Sequence, residues 1–128
     1  MMAFRDVAAI STGLPEVTEG VRHGNRTWFV GGKGFVWERP FSKADVKRFG
    51  TVAVPPGPIV AVLVDDLVEK EALLAAHPGS IFTIPHFDGY PAVLIRLETV
   101  SRKVLREVIT DGWLAAAPPS LAGSFLQR

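Results

Sequence analysis

Ile59-Val60-Ala61-Val62-Leu63-Val64 runs for six residues without a polar side chain. Successive side chains of a strand point to opposite faces, so this run offers water neither face. It reads as a strand covered on both sides or lying in mid-sheet. Any fold for the chain has to supply that cover. At 128 residues the chain is long enough, because a domain of this size buries roughly two thirds of the surface that its unfolded form exposes. Apolar residues at 48% and charged residues at 21% match ordinary globular usage and argue against a disordered or fibrous chain. Residues 1–128 read as one domain, with no internal repeat.

Around that strand the sequence lays out an α+β order. Phe4, Val7, Ala8 and Ile10 form a helical stripe that Gly13 and Leu14-Pro15 stop. Aromatic and β-branched runs at 20–24, 27–30 and 34–38 predict three antiparallel strands, punctuated by Gly24-Asn25 and Gly31-Gly32-Lys33-Gly34. Ser42 and Asp45 stand at capping-box spacing ahead of Val46 and Phe49, which predicts a short helix. Beyond the apolar strand, Asp65 and Asp66 place negative charge at the start of a helix that His77-Pro78-Gly79 ends. Strands are expected at 81–84 and 92–97 around a turn-rich tip, 85–91, that carries His86. Ser101 caps an amphipathic helix with Val104, Leu105, Val108, Ile109 and Leu114 on one face, and Pro118-Pro119 breaks it. The expected fold is a mainly antiparallel sheet of about five to six strands packed against N- and C-terminal helices.

Charge is segregated along the chain. Residues 21–49 hold seven basic side chains, Arg22, Arg26, Lys33, Arg39, Lys43, Lys47 and Arg48, against Glu38 and Asp45, while the whole chain nets only +1. They interleave with Trp28, Phe29, Phe35, Trp37, Phe41 and Phe49. Lys and Arg neutralise phosphates with release of counterions, so such a segment is what a nucleic-acid-facing surface needs. A solvated outer face over inward-pointing aromatics gives the same pattern. Residues 50–100 carry six acidic side chains against Lys70 and Arg96. The basic face therefore also suits docking onto an acidic protein partner or a second copy, an association that salt would screen.

Other chemistries find no support. The absence of cysteine excludes disulfides, thiolate nucleophiles and Cys-ligated zinc, and fits a cytoplasmic setting. Residues 1–14 include Arg5 and Asp6 and lack the apolar core, roughly seven residues or more, of a signal peptide. The longest uncharged apolar stretch, 51–64, is broken by Pro55, Pro56, Gly57 and Pro58 and falls short of the ~20 residues a membrane span needs. His23, His77 and His86 fall in separate elements without metal-ligand spacing, so no metal is expected. Gly32-Lys33-Gly34 lacks the spacing of a phosphate loop, and no serine sits in a GxSxG elbow. No catalytic residue and no cofactor are assigned.

Three phrases carry a family resemblance: Leu14-Pro15-Glu16-Val17-Thr18-Glu19, Gly31-Gly32-Lys33-Gly34-Phe35 and His77-Pro78-Gly79-Ser80-Ile81. With the order of elements, they make the chain similar to the MmcQ/YjbR-like family of small bacterial proteins over nearly its whole length. The family's HxxxxW phrase is a departure here, since His86 is followed by Phe87, Asp88, Gly89, Tyr90 and Pro91. The resemblance implies a two-layer α+β sandwich, described as a double wing and likened to frataxin's, and a DNA-binding role attached by structural analogy.

The favoured expectation is a non-enzymatic protein that contacts DNA phosphates through Arg22, Arg26, Lys33, Arg39, Lys43, Lys47 and Arg48, with the 26–33 hairpin as a wing along a groove. Two alternatives come from other classes. One is a small-molecule pocket at His23, Trp28 and His86, although Trp28, Trp37 and Trp113 all read as core aromatics. The other is a protein-interaction module with an exposed apolar patch that includes Phe125 and Leu126.

Overall fold

The apolar run forms β4 (Ile59–Leu63), and each of its residues is buried. The computed structural model describes residues 1–127. Before β4 come α1 (Phe4–Thr12), β1 (Thr18–Arg22), β2 (Asn25–Val30), β3 (Lys33–Glu38) and α2 (Lys43–Phe49). After it come α3 (Leu67–Ala76), β5 (Ile81–Phe82), a 3-10 turn at Pro85–Phe87, β6 (Ala92–Arg96), α4 (Arg102–Ala116) and α5 (Pro119–Leu126). The strands make one six-stranded sheet in the order β1-β2-β3-β4-β6-β5. All neighbours are antiparallel. This is the expected α+β fold, with β4 inside the sheet.

The alternation along β4 sorts the core into two layers. Val60 and Val62 join Trp28, Phe35, Val93 and Ile95 against Val7, Leu105, Ile109 and Trp113 of α1 and α4. Ile59 and Ala61 face the other way, with Leu94, Ile84 and Phe87, under Trp37, Phe41, Phe49 and Phe82. The helical layer is complete over the sheet's centre. The aromatic layer is built by Trp37 of β3, Phe41 before α2 and Phe49 within it, Phe82 of β5 and Phe87 of the 85–91 loop, and it stops short of β1 and β2, leaving that corner of the sheet open.

Local chemistry sets most element ends. Ser42 accepts the Asp45 N–H, and Asp45 accepts the Ser42 N–H, closing the capping box that starts α2. Asp66 caps α3 by accepting the Glu69 N–H at 2.8 Å, and Ser101 caps α4 by accepting the Val104 N–H. The 31–32 turn has positive φ at both glycines, which suits a two-residue hairpin between twisted strands. Two expectations shift. The first hairpin turns on His23 and Gly24, at φ 52° and 77°, so His23 sits at a turn tip and not in a strand. The strand expected at 81–84 ends at Phe82, and the chain enters the 3-10 turn at Pro85, which has no N–H to give a ladder.

The C-terminal segment docks on the helical layer. Trp113 is fully buried, its Nε1 donates to the Pro15 carbonyl at 3.0 Å, and the Phe125 ring of α5 lies 4.9 Å from it. Leu126 points away and is exposed. Among the described residues no helix is long and apolar enough to cross a membrane.

At Gly112 α4 lies close against β4. A Cβ there would stand 2.8 Å from the Leu63 carbonyl oxygen and 2.8 Å from Val62 Cγ1. Backbone cannot swing aside as a side chain can, so Gly112→Ala must lift the helix. It is expected to lower stability by about 1–3 kcal/mol in urea denaturation. A neutral result would contradict the close packing of α4 on β4.

Candidate functional site

The open corner of the sheet is a cavity of about 370 Å³. Its floor is Thr27 and Trp37, paired across β2 and β3. One wall comes from the first hairpin, Arg22, His23 and Asn25, and the other from the 85–91 loop, His86, Phe87 and Tyr90. Arg39, just past β3, closes the end.

Arg22 reaches over two rings, its guanidinium carbon 5.7 Å from the Trp37 ring centroid and 5.9 Å from that of Phe29. Gly34 leaves room for it: a Cβ there would sit 3.0 Å from an Arg22 guanidinium nitrogen and 3.0 Å from the Thr27 methyl. Among the described residues Arg22 has no carboxylate partner. It is therefore a cation held over ring faces and free to meet an anion.

Arg39 is held differently. It stacks 5.5 Å from the Phe87 centroid and donates to Asp45 Oδ2 at 3.0 Å. Asp45 also faces Arg48 Nη1 at 3.8 Å. Burial pushes the Asp45 carboxyl up, but its hydrogen bonds from Ser42 and Arg39 outweigh burial and hold it below its ordinary value of 3.8. Two guanidinium groups share this one carboxylate, so the edge stays net positive. A second cavity of about 520 Å³ adjoins here, sharing Asn25, Arg39 and His86 and ending on Arg48 of α2.

The loop wall depends on a lysine. Lys70 of α3 is 4% exposed, and its Nζ donates to the Phe87 carbonyl at 2.6 Å and the Tyr90 carbonyl at 2.8 Å. Burial pulls its pKa below the ordinary 10.5, against the opposing pull of Asp88 and Glu71. An ammonium that bonds two carbonyls of one loop fixes where Phe87 and Tyr90 present their rings, 5.7 Å apart and edge to face.

The seven basic residues do not gather in one place. Arg22, Arg39 and Arg48 line the two connected cavities, with His23 and His86. Lys43 and Lys47 are exposed on α2 but line neither. Lys33 is exposed beside the 31–32 turn, at the end of β2 away from Asn25. Arg26 is on the helix-facing side, 4.9 Å over Trp28, and bridges Glu19 at 2.9 Å and Glu38 at 3.7 Å. The hydrogen bond from Arg26 holds the Glu19 carboxyl below its ordinary range.

Of the three residues read as a small-molecule pocket, His23 and His86 share the cavity and Trp28 does not. Trp28 is fully buried in the helical layer, and Trp37 takes the place expected of it. Sequence reasoning also missed the positions of Arg22 on Trp37 and of Lys70 under the loop. A lone lysine among apolar helix positions, Leu67, Leu73 and Leu74, was the available signal for Lys70.

A family model described as YjbR matches residues 12–115, a span that includes every strand and most of α4. This chain belongs to the YjbR family. Uncharacterized proteins Rv2570 of Mycobacterium tuberculosis and Mb2600 of Mycobacterium bovis are each 46% identical to this YjbR protein over 129 residues, covering 98% of it and 97% of their own chains. The crystal structure of Deinococcus radiodurans protein DR2400, with a DUF419 domain, matches with a TM-score of 0.62 and 20% identity over 89% of this chain and 78% of that chain. At that identity the likeness is one of fold.

Two measurements check the site's supports. Lys70→Met leaves the two loop carbonyls without their donor and is expected to lower stability by about 2 kcal/mol or more, with faster amide exchange at Tyr90. An unchanged loop would contradict the clip. A carboxyl with a depressed folded pKa contributes stability that is full above its unfolded value and lost as pH falls through the folded one. Asp45 therefore predicts a loss of stability below pH 3.8 that Asp45→Asn reduces in acid denaturation. Identical acid limbs for the two proteins would contradict it.

Proposed function

We propose that this YjbR protein is a non-enzymatic nucleic-acid-binding protein whose contact face is the arginine-lined pair of cavities. The convergence of Arg22, Arg39 and Arg48 with His23 and His86 carries the reading. Guanidinium groups match phosphate oxygens in geometry and charge, and Arg22 is unbridged among the described residues. Lys43 and Lys47 add exposed positive charge on α2 beside this face. Guanidinium groups hold an anion and ring faces hold a flat apolar group, and neither is a nucleophile or a general base, which favours binding over catalysis. Arg26 is committed to two carboxylates, which moves the weight of the proposal from the 26–33 hairpin to the cavity side of the sheet.

The enclosed volume favours a second reading, a free small molecule that carries an anionic group beside a flat ring. Dependence on chain length separates the two: a nucleic-acid face gains affinity as the strand lengthens, and a small-molecule pocket does not.

Fluorescence anisotropy with labelled DNA tests the proposal. Raising salt from about 50 to about 200 mM is expected to weaken binding on the order of tenfold or more, as for about three phosphate contacts. Arg22→Ala with Arg48→Ala should remove most of that salt dependence, whereas Lys33→Glu should change affinity by less than about twofold. Salt-independent binding, or loss on Lys33→Glu alone, would contradict the placement.

A further inference from the structure

We infer that the cavity seats one unstacked base of a single-stranded nucleic acid, with Arg22 meeting the phosphate beside it. The inference rests on the nucleic-acid reading above and narrows it to single strands. A duplex keeps its ring faces stacked inside, so a face that reads only duplex phosphates needs cations and has no use for a ring-walled recess. Proteins that hold single strands combine the two, a basic track and aromatic side chains on which bases stack.

Both parts are present at the open corner of the sheet. Trp37, half-buried, and Tyr90, 43% exposed, present their rings at the recess, and the buried Phe87 backs both, its centroid 6.4 Å from that of Trp37 and 5.7 Å from that of Tyr90. At about 370 Å³ the recess lies near the lower end of the roughly 300–1,000 Å³ range of ligand sites, room for one ring system. The Asn25 side chain, which supplies both donor and acceptor, lines the same recess and can meet a base edge. Arg22 stands beside these rings, its guanidinium carbon 5.7 Å from the Trp37 centroid.

The track continues past one nucleotide. The adjoining cavity shares Asn25, Arg39 and His86 with the first, so a strand leaving the recess passes Arg39 and reaches Arg48. Arg39 and Arg48 share a single carboxylate, which leaves net positive charge for the next phosphate. Arg26, on the other face of the sheet, and Lys33, at the far end of its hairpin, stand off this track.

The test compares three labelled probes by anisotropy at low salt: an oligothymidine of about ten nucleotides, an abasic oligomer of the same length, and a duplex. The oligothymidine is expected to bind about tenfold tighter than the abasic oligomer and tighter than the duplex. Tyr90→Ala should remove most of the difference while the far-UV circular dichroism spectrum stays that of the folded protein, and Arg22→Gln should weaken both single strands alike. If the abasic oligomer or the duplex binds as well as the oligothymidine, the base seat is overturned while the nucleic-acid reading stands. If thymidine monophosphate competes as well as the oligomer, the site belongs to a free small ligand and the inference falls. If none of the three probes binds, both readings fall together.

Discussion

A strand with no polar side chain has to be covered on both faces, and the arrangement of this protein follows from how β4 obtains that cover. One face is simple: α1 and α4 lie on Val60 and Val62, with Gly112 letting α4 come down onto the strand. Among the described residues the other face has no long helix to use. Ile59 and Ala61 are covered by rings from α2, β3 and the 85–91 loop, a patchwork that reaches only as far as Trp37. The candidate site is the place where that second cover ends.

Edges of apolar layers are exposed ring faces, and here they are held in place by polar groups drawn from elsewhere. Lys70 reaches from α3 to the carbonyls of Phe87 and Tyr90, and Asp45 ties Arg39 to the start of α2. Both groups are buried, which makes each bond costly to lose and the geometry they set hard to deform. Arg22 is the contrast. It rests on Gly34 and two rings with no carboxylate among the described residues, so its charge is available to a ligand. His23 adds to the picture, since a non-glycine residue at φ 52° costs roughly 1–2 kcal/mol where glycine would cost little. The strain is held at the rim of the cavity, beside Arg22.

Much of the fold was legible because its signals are local. The Ile59–Val64 run, whose first five residues form β4, the Ser42 and Asp45 box, the acidic helix start at Asp65 and Asp66, and the cap at Ser101 each depend on residues close together in the chain. The site was less legible because it depends on which face each aromatic takes. The register between β2 and β3 shifts at Trp28 and Phe29, and alternation counted through that point cannot tell the core ring from the cavity ring. Trp28 faces the helices with its partner Val36, and Trp37 faces the cavity with its partner Thr27. Arg26 looked like a free cation in the chain, yet its partners Glu19 and Glu38 come from two neighbouring strands and meet it only once the sheet is paired. Lys70 is the same case at longer range, bonding 17 and 20 residues away.

The measurement closest to the central claim is a residue-by-residue map of contact: a two-dimensional 15N–1H NMR titration with a short oligothymidine, following the Trp37 indole and the amides of His23, Asn25, His86 and Tyr90. These signals are expected to move together and saturate together, while those of Lys33 and Arg26 stay still. Shifts confined to the 31–33 turn, with the cavity signals unmoved, would contradict it.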